Sequence, residues 1–282
     1  MKKYFFILSI LLLSALSGLA QRQKKSVEIG LFLGGCYYIG DLNPMGHFNQ
    51  FTKPGSGIVV RYNINSRLAA RANLLFGNVE AHDSYSNSLA AQQRNLSFRS
   101  PINELSAQLE FNFLNYSIGD EKKKFSPYIF LGIAGFNFNP QGELYNGDWV
   151  RLQPLGTEGQ GLDEGATKKK YKLTQFSIPF GVGAKVNLSK SIGVSFEWGM
   201  RKTFTDYLDD VSKKYYDPAK LAAAHNGNAA VLSDTSIGTD ARYSNVGRQR
   251  GDSTTKDWYS FAGIALTVKL KGKPETCPNF TY

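Results

Sequence analysis

Through residues 104–114 (ELSAQLEFNFL) every second side chain is apolar. Leu105, Ala107, Leu109, Phe111 and Phe113 alternate with Glu104, Ser106, Gln108, Glu110 and Asn112. Successive side chains of a strand point to opposite faces of a sheet, so this spacing predicts one apolar and one polar face. The same period runs through 191–201, where Ile192, Val194, Phe196, Trp198 and Met200 oppose Gly193, Ser195, Glu197, Gly199 and Arg201. It recurs in 174–187, where Phe176, Ile178, Phe180, Val182, Ala184 and Val186 share a face. Period-two runs bounded by turn residues predict eight strands, at 26–39, 56–63, 67–78, 104–114, 126–138, 174–187, 191–202 and 257–270.

The connections sort by length. The odd-numbered ones, 40–55, 79–103, 139–173 and 203–256, are long; the even-numbered ones, 64–66, 115–125 and 188–190, are short. A soluble sandwich has no reason to keep long and short loops at opposite ends. A transmembrane barrel of outer-membrane type does, with short periplasmic turns and long outer loops. The expected fold is therefore all-β, an eight-stranded antiparallel transmembrane β-barrel spanning 21–270. Its apolar face meets lipid and its charged face fills the lumen.

Alternation points Glu28, Arg61, Arg71 and Glu110 inward at similar height, as one neutralising network, and Lys185 with Glu197 as a second pair across the sixth and seventh strands. Buried charges must be paired to be tolerated. Eight strands leave room only for side chains, so the expected interior is a plug rather than a pore.

The chain opens with Lys2 and Lys3, the apolar run 4–16, and Ser17-Gly18-Leu19-Ala20. That order is a secretory signal peptide cleaved near Ala20. Without Lys2 and Lys3 the net charge falls from +10 to +8. The remaining cations are scattered over connections and strand ends, without a basic helix or an aromatic platform, so no nucleic acid is expected as a partner. Aromatic residues make up 13% of the chain, which suits interfacial girdles against outer-membrane lipid. Cys36 and Cys277 could form a disulfide in an exported protein or remain two thiols.

Chemistry is sparse. His47, His82 and His225 all fall in expected outer loops, with no serine or aspartate companion at strand spacing for a hydrolase. Asp206, Asp209 and Asp210 lack the spacing of an EF-hand and read as an ordered loop. The glycines of 154–162 (PLGTEGQGL) open no P-loop and suit a flexible or folded-back loop. Arg250-Gly251-Asp252 spells an integrin-type tripeptide, the ground for an adhesin reading beside the enzyme and narrow-channel readings. No catalytic residue, metal or cofactor is expected.

Several segments, read in order, carry a resemblance: IGLFLGGCYYIGDLNP (29–44), RNLSFRSPINELSAQLEFNF (94–113), PYIFLGIAGFNFNP (127–140), LQPLGTEGQGL (152–162), TQFSIPFGVGAKVNLS (174–189), EWGMRKTFTDYLDDVS (197–212) and QRGDSTTKDWYSF (249–261). Together they resemble the PorG-like outer-membrane β-barrel proteins of the type IX secretion system of Bacteroidota. The resemblance implies a non-enzymatic barrel that ties a periplasmic ring, built from a lipoprotein and its partner, to the outer membrane. On that view the periplasmic turns meet the ring, with Lys122, Lys123 and Lys124 as a charged contact. The C-terminal periplasmic tail 271–282 extends past the last strand, where many such barrels end.

Overall fold

The protein is described from a computed structural model covering residues 25–44, 46–162, 169–224, 227–237 and 244–270. The expected signal peptide, the tail 271–282, His225 and Cys277 lie outside the described residues. Eight long strands build the wall: β1 (Ser26–Ile39), β2 (Lys53–Asn63), β3 (Leu68–His82), β4 (Ser97–Asn112), β5 (Phe125–Phe138), β8 (Thr174–Asn187), β9 (Ile192–Thr203) and β10 (Trp258–Lys269). Each pairs antiparallel with the next, and β1 pairs with β10, so the sheet closes into an eight-stranded barrel. A small hairpin, β6 (Gln141–Glu143) and β7 (Trp149–Arg151), rises from β5. Among the described residues no helix is long and apolar enough to cross a membrane.

The tight turns have local causes. Asn65 Oδ1 accepts the backbone N–H of Arg67 and of Leu68, each at 2.8 Å, and so fixes the turn from β2 to β3. Ser189 Oγ plays the same part from β8 to β9, accepting from Ser191 and Ile192. Short polar side chains that mimic a backbone acceptor favour such turns.

The wall has the sidedness expected. Leu31, Leu109, Ile133 and Phe176 are 63%, 63%, 71% and 74% exposed, whereas Glu28, Glu104 and Glu110 are fully buried. A soluble barrel would reverse this distribution. Apolar side chains outside and charges within are what hydrocarbon on the outer wall requires. The barrel is of outer-membrane type.

At the long-loop end the sidedness inverts. The last inward residues of β1, β3 and β4 are Cys36 and Tyr38, Val79 and Ala81, and Phe98 and Ile102, all buried in one core with Phe136, Phe138 and Phe261. Their outward neighbours include Asn78, Glu80, Arg99 and Asn103. Here the strands have left the hydrocarbon, and the lumen is roofed by the loops. Leu208 and Val211 of the connection 204–257 close that core from above. A second apolar cluster, Leu152, Leu155, Leu221, Ala229 and Leu232, packs the two helices α2 (Pro218–Ala224) and α3 (Gly227–Ser233) onto the connection 139–173. The helix α1 (Leu89–Arg94) lies in the connection between β3 and β4.

Candidate functional site

The six expected lumen charges all lie inside the barrel, buried from solvent, but their pairing differs from the expectation. Lys185 and Glu197 do not form a pair of their own. Both join the first four residues in one network. Glu110 is the hub: it accepts from Arg61 Nε at 2.8 Å, lies 3.1 Å from Arg71, and accepts from Lys185. Glu28 accepts from Arg61 at 2.8 Å and from Asn63 at 2.6 Å. Glu197 accepts from Arg71 and, at 2.8 Å, from Tyr128. Three carboxylates thus face three cations, and the set is neutral. The physical reason is reach: β8 and β9 lie across the lumen from β2–β4, and long side chains span a narrow interior to meet in its middle.

A second layer escaped sequence reading. Arg201 donates to Glu104 at 2.9 Å, Tyr259 donates to the same carboxylate at 3.0 Å, and the Arg201 guanidinium stands 5.0 Å from the Phe261 ring centroid. Alternation had put Glu104 and Arg201 inside without saying at which height. The interior is full here as well: a Cβ at Gly199 would stand 2.6 Å from the Phe130 ring.

The outer mouth is closed by a polar latch. Arg250 is buried and donates to Ser233 O at 3.0 Å, Asp210 O at 2.7 Å and Glu158 at 3.2 Å. Glu158 Oε1 also accepts the backbone N–H of Ser212 and Lys213. The segment 154–162 is therefore folded back into the cap. The tripeptide reading of 250–252 is corrected: its arginine faces inward and is held by the cap, so it is not displayed as a ligand. Nearby, Arg94 clasps Asp83 and donates to the carbonyls of Arg250 and Asp41.

Asp206, Asp209 and Asp210 do not converge. Asp206 accepts from Ser212, Asp210 from Thr157 and Tyr171, and Asp209 shares the Tyr38 hydroxyl with Asp257. Burial, reinforced by the facing carboxylate of Asp257, holds Asp209 well above the usual carboxylate range. Burial also pushes Asp206 and Asp210 from 3.8 up to about 6, against the pull of Ser212 on one and of Arg250 on the other. The folded cap therefore holds more protons than the open one. Its stabilisation from Asp206 and Asp210 is complete below about pH 3.8 and is lost as the pH rises through about 6. Limited proteolysis within 204–257 should accelerate over that interval; a flat or falling rate would contradict the assignment.

The two described histidines, His47 and His82, stand in separate contacts. His82 ends strand β3 rather than lying in a loop, 3.2 Å from Glu80 and stacked on Phe51. His47 meets the Tyr37 hydroxyl at 3.0 Å. Cys36 is a free, buried thiol inside the barrel. At the opposite, tight-turn end, a groove of about 200 Å³ opens between the turns 113–124 and 188–191, lined by Asp120, Glu121, Lys124, Leu188 and Lys190 among others. Lys122 and Lys124 are exposed beside it, and Lys123 lies 3.5 Å from Asp120.

A family profile described as "Domain of unknown function (DUF6089)" matches residues 2–230. No curated protein matches the chain. Among solved structures, Ail, the attachment invasion locus protein of Yersinia pestis, in complex with the heparin analogue sucrose octasulfate, is 8% identical with a TM-score of 0.40, covering 88% of this chain and 100% of its own. Neisserial surface protein A is 9% identical with a TM-score of 0.40, covering 88% and 100%. OprG of Pseudomonas aeruginosa is 8% identical with a TM-score of 0.36, covering 90% and 99%. Scores this low carry no argument; the barrel stands on its own strand pairing.

Proposed function

Because the chain belongs to the family described as DUF6089, whose description names no activity, we propose from its own residues that it is a non-enzymatic barrel of the outer membrane that anchors a periplasmic complex. The machine in question is the type IX secretion system, and the partners are the ring lipoprotein and its companion. The resemblance in the ordered segments supports that finer reading. The observation that carries the anchoring role is the distribution of free surface. Ion pairs fill the lumen and the latched loops fill the outer mouth, which leaves the periplasmic rim with an open, charged groove.

The groove offers both signs of charge beside an exposed Leu188, a surface suited to a protein partner rather than a solute. Rim charges act chiefly on encounter rate and partner choice. Replacing Lys122, Lys123 and Lys124 together with Glu should lower co-purification of the ring proteins while the barrel keeps its heat-modifiable migration. Unchanged recovery would remove this contact. The channel reading would need conductance in planar bilayers, which the filled lumen opposes. The enzyme reading would need activity lost with His47, His82 or His225.

A further inference from the structure

On the outer wall of β1, β10 and β9, near the long-loop end, the first connection (40–52) folds down over the strands. Tyr37 points outward, between the inward Cys36 and Tyr38, yet is only 1% exposed because His47 and Phe48 cover it. Trp198 Nε1 donates to the Tyr37 hydroxyl at 2.7 Å, and the same oxygen meets His47 Nδ1. Phe48 adopts φ 50°, a left-handed conformation uncommon for so bulky a residue, and its ring lies 6.3 Å from that of Trp198.

In the next outward rows, Trp258 pairs with Lys202 across β10 and β9, and the Trp258 ring meets Phe180. Lys202 is exposed on this wall, its ammonium 5.9 Å from the Trp258 ring centroid. Among the described residues no carboxylate stands within ion-pair distance of it.

We propose that this patch seats the net-anionic phosphate headgroup of an outer-leaflet lipid, with Lys202 supplying the charge and the exposed His47, held in place by the Tyr37 hydroxyl, a polar contact. A cation facing the bilayer midplane is costly, but the cost nearly vanishes at the interface. Lys202 therefore marks headgroup height, and tryptophans collect at that height. An aromatic shelf carrying a cation with no acidic partner among the described residues complements an anion tethered to a hydrocarbon chain. A zwitterionic headgroup offers its phosphate only together with a competing cation, so a net-anionic one is favoured.

Trp198 and Trp258 report on the patch directly. In a Trp149→Phe background, the protein is folded into phosphatidylcholine vesicles carrying a small fraction of chain-brominated lipid. Brominated phosphatidylglycerol should quench as though enriched about fivefold over brominated phosphatidylcholine at the same fraction, the partition that one cation near a membrane surface produces. Lys202→Ala should bring the two lipids to parity and Lys202→Arg should keep the preference, each checked for folded, heat-modifiable migration. Equal quenching by both lipids in the parent protein, or a preference that survives Lys202→Ala, would overturn the proposal.

Discussion

Glu110→Gln should destabilise the barrel by about 3–5 kcal/mol, the usual cost of leaving a buried charge uncompensated. One carboxylate at that position serves Arg61, Arg71 and Lys185, and its loss turns a neutral cluster into one with surplus positive charge in a space closed to water. The amide keeps the shape and one acceptor, so the effect reads charge rather than volume. A charge-balanced replacement, Arg71→Met with Glu197→Met, removes one ion of each sign. It should cost less than the single change, because exchanging a whole buried pair for apolar groups is often close to neutral. Urea unfolding from lipid vesicles, followed by gel mobility without heating, measures both. If Glu110→Gln unfolds at the parental urea concentration, the network is not what holds the interior.

Arg250→Ala should open the extracellular cap and leave the wall intact. It removes the donor to the Ser233 and Asp210 carbonyls and the cation beside Glu158, leaving that buried carboxylate to the backbone N–H groups of Ser212 and Lys213. A cost of about 3–5 kcal/mol for an unpaired buried carboxylate falls on the loop connections, because the strand ladders do not include Arg250. Proteinase K added to intact cells should then cut within 204–257, while the strands stay protected and the unheated band keeps its mobility. Continued protection of the loop in Arg250→Ala would show that the apolar contacts of Leu208 and Val211 suffice to hold the cap.

Where the wall crosses lipid, it was legible from alternation. All eight strands fall where the period-two pattern put them, and the long and short connections separate by end. The ends of β3 and β4 were not legible. β4 begins at Ser97 rather than 104, because above the bilayer Phe98 and Ile102 point inward while Arg99 and Asn103 point out. A reading keyed to one phase of polarity stops where the phase inverts. The lumen was legible as a set of residues and not as a set of pairs. Alternation gives the face of a residue, whereas the partner depends on height and on what lies across the barrel. Lys185 accordingly meets Glu110 rather than Glu197. The cap was the least legible, because Arg250 and Glu158 are 92 residues apart and meet through loops with no period to read.

A nitroxide placed at Ile133, in a variant lacking Cys36 and Cys277 and folded into lipid vesicles, reports whether lipid or water covers the outer wall. Ile133 stands outward at mid-strand and is 71% exposed. If hydrocarbon covers the outer wall, the label should collide readily with dissolved oxygen and hardly at all with a water-soluble nickel chelate. Free collision with the chelate would place water against that wall and contradict the account.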